Sequence, residues 1–147
     1  MSVYQHILLA ADFSDQDDYV AHKAVRLAAH TGAQLSLIHV LDDIPMPDTP
    51  YGTPIPLDID TSYSMLENEK QRLNEIGDAF DIDPDHRWLV WGEPKQEITR
   101  IAEQERVDLI VVGSHGRHGL ALLLGSTANG VLHHAKCDVL AVRLQPD

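Results

Sequence analysis

The chain has 147 residues, enough for one domain around one core and too short for a two-domain dehydrogenase, a kinase or a (β/α)₈ barrel. Its 11 Lys and Arg against 23 Asp and Glu give a formal charge of −12, a field that repels DNA, RNA and acidic membrane surfaces. The lone cysteine, Cys137, excludes an internal disulfide framework and points to a reducing compartment.

The first residues carry no basic region, and the apolar run Ile7-Leu8-Leu9-Ala10-Ala11 is too short to span a bilayer. Neither a signal peptide nor membrane insertion is expected, and the chain reads as cytoplasmic. That apolar run predicts a strand buried on both faces of a parallel sheet. Ser14, with Asp17 three residues on, predicts a helix N-cap in the manner of a capping box. Val20, Ala21, Ala24, Val25, Leu27 and Ala28 recur at helical spacing, and Gly32 stands where a C-terminal stop belongs. A second buried strand is predicted over residues 33–41.

From residue 42 to about 61 the periodicity fails. Pro45, Pro47, Pro50, Pro54 and Pro56 fall in this stretch, a density that no helix or central strand accepts. A long functional or mobile loop is expected there. Met65, Leu66, Leu73, Ile76 and Phe80 then mark a second helix. A strand follows over 86–91, with Trp88 and Trp91 on opposite faces, and a third helix opens at Pro94. Asp108-Leu109-Ile110-Val111-Val112 is the fourth strand, a helix runs from about 125 to 134, and 138–143 is the last strand. Strands alternating with helices predict one domain, 1–147, built on a parallel sheet covered on both faces.

In such a sheet ligands bind beyond the carboxyl ends of the strands. The turn after the first strand holds Asp12, Asp15, Asp17 and Asp18 and no glycine, so neither a dinucleotide fingerprint nor a P-loop is present. The region after the fourth strand has the opposite character. The 29 residues between Asp108 and Asp138 contain no Asp or Glu. They contain Gly113, Gly116, Gly119 and Gly125, then Ser126 and Thr127 at a helix start, with Arg117 and Lys136 as cations. Small residues let backbone N–H groups reach phosphate oxygens, and a helix N-terminus favours an anion. An ordinary turn followed by a Ser N-cap would use the same residue types.

The segments HILLAADFSD, LSLIHV, GEP, DLIVVGSHGRHGL and LLGSTANGVLHHAKCDVLAVR, taken with the length, resemble the universal stress protein family over the whole chain. The family's nucleotide-binding branch carries G-x₂-G-x₉-G-[ST]. Here Gly113-Ser114-His115-Gly116 is followed by eight residues and then by Gly125-Ser126-Thr127, a spacing one residue short. A second branch lacks the glycines and binds no ATP, and this chain keeps them. The resemblance implies a Rossmann-like α/β fold with a five-stranded sheet of order 3-2-1-4-5. It implies ATP or ADP, with Mg²⁺, across the ends of strands 1 and 4. Ala10, Ala11 and Asp12 would then lie on the ribose or adenine side, and Val40 at the base. Val112, Gly113, Gly116 and Arg117 would admit ribose and phosphates, while Gly125, Ser126 and Thr127 would hold the phosphates.

His115, His118, His133 and His134 have no carboxylate or cysteine at ligand spacing, so no metal site is expected of them. Cys137 reads as a packed thiol. Asp12 either serves the ligand or stabilises the next helix. No base or nucleophile stands out beyond Asp12 and the histidines, so no enzyme beyond slow ATP hydrolysis is expected. Asp138-Val139-Leu140-Ala141-Val142-Arg143 would lie at a sheet edge and pair with its own copy, an interface the resemblance also implies. The reading is a nucleotide-binding stress-response module acting on a protein partner as a homodimer. The alternatives are a dimeric interaction protein with no nucleotide, or a weak ATPase.

Overall fold

A computed structural model describes residues 3–14, 16–42, 52–55, 57, 64–114 and 124–143. The elements are β1 (His6–Ala10), α1 (Asp17–Thr31), β2 (Gln34–Leu41), β3 (Thr53–Pro54), α2 (Ser64–Ala79), β4 (Arg87–Trp91), α3 (Pro94–Gln104), β5 (Leu109–Gly113), α4 (Ser126–His134) and β6 (Asp138–Val142). They form one sheet of order β3-β4-β2-β1-β5-β6. The five long strands are all parallel and take the predicted order 3-2-1-4-5.

Residues of alternate parity divide the core into two layers. Ile7, Leu9, Leu37 and Leu41 face α1 and α2, where Val20, Ala24, Leu66 and Leu73 meet them. Leu8, Ile38, Val90 and Ile110 face α3 and α4, against Ile98, Ile101 and Val131. Trp91 packs on the first layer and Trp88 on the second, the opposite faces their spacing predicts. Truncating a fully buried residue such as Ile110 would cost about 2–5 kcal/mol.

Single glycines shape two of the helices. Gly32 closes α1 in the left-handed conformation at φ 73°, and its N–H donates to Ala28 O. In α4 a Cβ on Gly130 would stand 2.7 Å from Lys95 Cβ, so glycine there permits the close approach of α3. Glycine inside a helix otherwise costs roughly 1 kcal/mol relative to alanine.

The structure corrects two expectations. The proline-rich stretch is not irregular throughout, because β3 adds a short antiparallel strand against β4. Gly52 N–H donates to Trp91 O and Ile55 N–H to Leu89 O, each at 2.8 Å, while Pro54 occupies a ladder position between them. An edge strand accepts proline where no N–H is required. The rest of that stretch, 43–51, 56 and 58–61, lies outside the described residues. Ser14 also fails to cap α1. The helix begins after Gln16, with no side-chain cap, and Ser14 Oγ accepts from Gln16 N–H instead. Asp17, expected to complete the capping box, turns back to the Asp12 amide, which donates to its Oδ1.

Candidate functional site

The chain leaves β1 toward β2 on one side and later crosses to β5 on the other, so β1 and β5 flank the point where the strand order reverses. Their register pairs Leu9 with Val111. One residue further along each strand stand Ala10 and Val112, followed by Ala11 and Asp12 on one side and Gly113 on the other. Val40 lies on β2 beside them, and its side chain packs with Ala10 and Val112 in the α3–α4 layer. Ala11 faces the opposite layer.

The β5 side of this crevice closes on itself. Ser114 N–H donates to Val142 O at 2.8 Å, and Gly125 N–H donates to Ser114 O at 2.6 Å. The end of β5 and the start of α4 therefore meet, bringing Gly113, Gly125, Ser126 and Thr127 to one corner. Gly116 and Arg117 lie outside the described residues. Gly125 is the N-cap of α4, no side chain caps the helix, and its first turn contains no acid. First-turn amides of a helix have no intrahelical acceptor, so this corner carries donors and the positive end of a dipole.

The β1 side is a tied, acidic corner. Asp12 Oδ1 accepts from Ser14 N–H at 3.0 Å, and Asp17 Oδ1 accepts from Asp12 N–H at 3.2 Å. Burial, then the charge and hydrogen bonding of Asp12, raise the Asp17 pKa to about 7. Asp17 Oδ2 is buried with no hydrogen-bond partner among the described residues. Local sequence suggested a cap for Asp17. Its part in this corner depends on the turn bringing it against Asp12, which spacing alone does not show.

At the opposite, amino end of β5 and β6, Thr99, Arg106, Lys136 and Cys137 line a shallow pocket of about 200 Å³. Burial raises the Cys137 pKa, with Asp138 and Asp108 adding to the effect, which disfavours the nucleophilic thiolate and agrees with a packing role. No cluster of three metal-ligating side chains occurs among the described residues. No helix among them is long and apolar enough to cross a membrane.

A sheet of five parallel strands in the order 3-2-1-4-5 with helices on both faces is the architecture of a Rossmann-like α/β domain. Comparison with known proteins identifies the kind. The chain belongs to the universal stress protein family, whose model matches residues 3–143. It is 44% identical over 146 residues to universal stress protein A homolog 2 of Coxiella burnetii, covering 99% of each chain. Among solved structures it is similar to hypothetical protein MJ0577, the subject of a structure-based assignment of biochemical function. That match has a TM-score of 0.71 and 26% identity, over 98% of this chain and 99% of the other. A universal stress protein solved in complex with cAMP shares the fold, with a TM-score of 0.69 and 22% identity over 97% and 98% of the two chains.

Proposed function

We propose that this universal stress protein is a cytoplasmic, nucleotide-binding regulatory module that takes ATP or ADP and acts as a homodimer on a protein partner. The observation that carries the reading is the opposed polarity of the crevice. At one wall, α4 presents first-turn amides with no side-chain cap and no acid. At the other, Asp12 presents a carboxylate. A nucleotide has matching ends, with phosphates for the amides and hydroxyl or amino donors for the carboxylate. The cAMP held by a protein of this fold supports the same reading.

The residues present fit ATP with Mg²⁺. Gly113, Gly125, Ser126 and Thr127 would hold phosphate, and the cation would offset repulsion between phosphate and the Asp12–Asp17 corner. No aligned nucleophile and base is found among the described residues, so hydrolysis is expected to be slow at most.

The dimer reading rests on β6, the terminal strand of the sheet, with Leu140 36% exposed on it. An unpaired apolar edge is completed most simply by an antiparallel copy about a twofold axis.

Freshly purified protein, denatured and read by absorbance and mass spectrometry, should release an adenine nucleotide, and stripped protein should bind ATP in calorimetry. If neither occurs, the dimeric interaction protein without nucleotide replaces this reading. A turnover assay with added Mg²⁺ reads any ATPase activity. Light scattering should give about twice the 16.3 kDa chain mass, and a monomer would remove the homodimer.

A further inference from the structure

Phe13 is the residue that the Asp12 turn should least tolerate. Its φ is 61°, in the left-handed region that penalises any side chain with a Cβ. Among the described residues, the other non-glycine residues with positive φ, Asp81 and Arg106, follow the ends of α2 and α3, where chains commonly reverse. Phe13 instead lies between β1 and α1, next to Asp12.

Two distant residues hold it there. The His39 ring stacks on Phe13 with centroids 3.7 Å apart and planes 20° apart. The Arg72 guanidinium stands 4.7 Å from the ring centroid and donates from Nη2 to Phe13 O at 2.8 Å. His39 also donates from Nδ1 to Ala11 O at 2.7 Å, since a carbonyl can only accept. The residues on both sides of Asp12 are thus fixed from outside the turn, Ala11 by β2 and Phe13 by β2 and α2. With Ala11 O and Phe13 O held, the Asp12 carboxylate has little freedom in where it points.

We infer that Arg72 is a positioning residue for the candidate nucleotide site, holding Phe13 left-handed with His39 so that Asp12 faces the crevice. This rests on the nucleotide reading given above. Arg72 is exposed on α2, so its removal should leave the fold intact.

The test is a double-mutant cycle on ATP affinity, measured by calorimetry for wild type, Arg72→Ala, Phe13→Gly and both together. Arg72→Ala should weaken ATP at least fivefold, with the thermal midpoint little changed. In the Phe13→Gly background the same change should have under a twofold effect, because glycine takes positive φ without help. Equal losses in both backgrounds would mean that Arg72 acts as a charge on the ligand, and the positioning role would fall. No loss in either would also overturn it. Amide exchange supplies a readout that does not depend on nucleotide. Ser14 N–H, bonded to Asp12 Oδ1, should exchange faster in Arg72→Ala than in wild type. If wild type binds no ATP, the nucleotide reading fails while this comparison still decides the positioning; unchanged exchange would then reject it.

Discussion

The two corners of the crevice use their backbone amides in opposite ways. After β1, the amides of Ala11, Asp12, Ser14 and Gln16 all donate within the protein, to Ile38 O, Asp17 Oδ1, Asp12 Oδ1 and Ser14 Oγ. At the start of α4 no side chain caps the helix. Both corners carry serine near a helix start and neither α1 nor α4 has a side-chain cap, but the first turn of α1 carries Asp17 and Asp18 whereas that of α4 contains no acid. A serine near a helix start does not by itself make an anion site; the first turn must also be free of like charge.

Placing an acid in the first turn of α4 gives the largest expected effect. Ser126→Asp should lower ATP affinity at least tenfold, about 1.4 kcal/mol. The same carboxylate, at a helix N-terminus, should raise stability by about 0.3–1 kcal/mol. Calorimetry and thermal melts on one sample separate the two signs, and unchanged affinity would remove α4 from the site.

The acidic corner predicts a pH dependence of about 1 kcal/mol or more, the worth of one pKa unit. Folded Asp17 keeps its proton to about pH 7, against an ordinary aspartate value of 3.8. Between those values the folded chain binds more protons than the unfolded one, so this group's contribution to stability falls as pH rises and is lowest above 7. Asp17→Asn mimics the protonated acid and can donate to the Asp12 carboxylate. Its melting temperature should exceed wild type by a few degrees at pH 8, with the two converging near pH 4. A constant difference across that range would contradict the shared-proton corner.

The smallest effect sharpens the contrast between the serines. A true N-cap serine contributes about 1 kcal/mol. Ser14 makes one 3.3 Å bond to Gln16 N–H, so Ser14→Ala should cost under about 0.5 kcal/mol in urea unfolding. A full capping loss would restore Ser14 to the role its sequence context suggests.

Much of the framework was legible because burial on both faces leaves unmistakable apolar runs. Ile7 to Leu9, Leu37 with Ile38 and Val40, and Leu109 to Val112 each mark a strand at the sheet centre, and Gly32 marks a helix end. The places of Asp12 after β1, Gly113 at the end of β5 and Gly125 before α4 followed from strand–loop–helix order. What escaped depends on residues far apart in the chain. Nothing near Phe13 announces its left-handed backbone, because its partners lie 26 and 59 residues further on at His39 and Arg72. Asp17 looks like a capping acid until the turn carries it onto Asp12. β3 was hidden because proline argues against any strand, and only its place at the edge removes the objection.

That edge placement makes the sheet's two margins unequal. Beyond β4 lies a strand of two residues, one of them a proline, which gives a further chain almost no ladder to extend. Beyond β5 lies β6, a five-residue strand with neither proline nor glycine. A sheet that can be continued at both margins can string copies together without limit, whereas one with a single usable margin joins once and stops. With β6 engaged in the proposed twofold pair, the short Thr53–Pro54 strand would leave both outer margins of the doubled sheet blunt, and fibre growth through this sheet would be closed off.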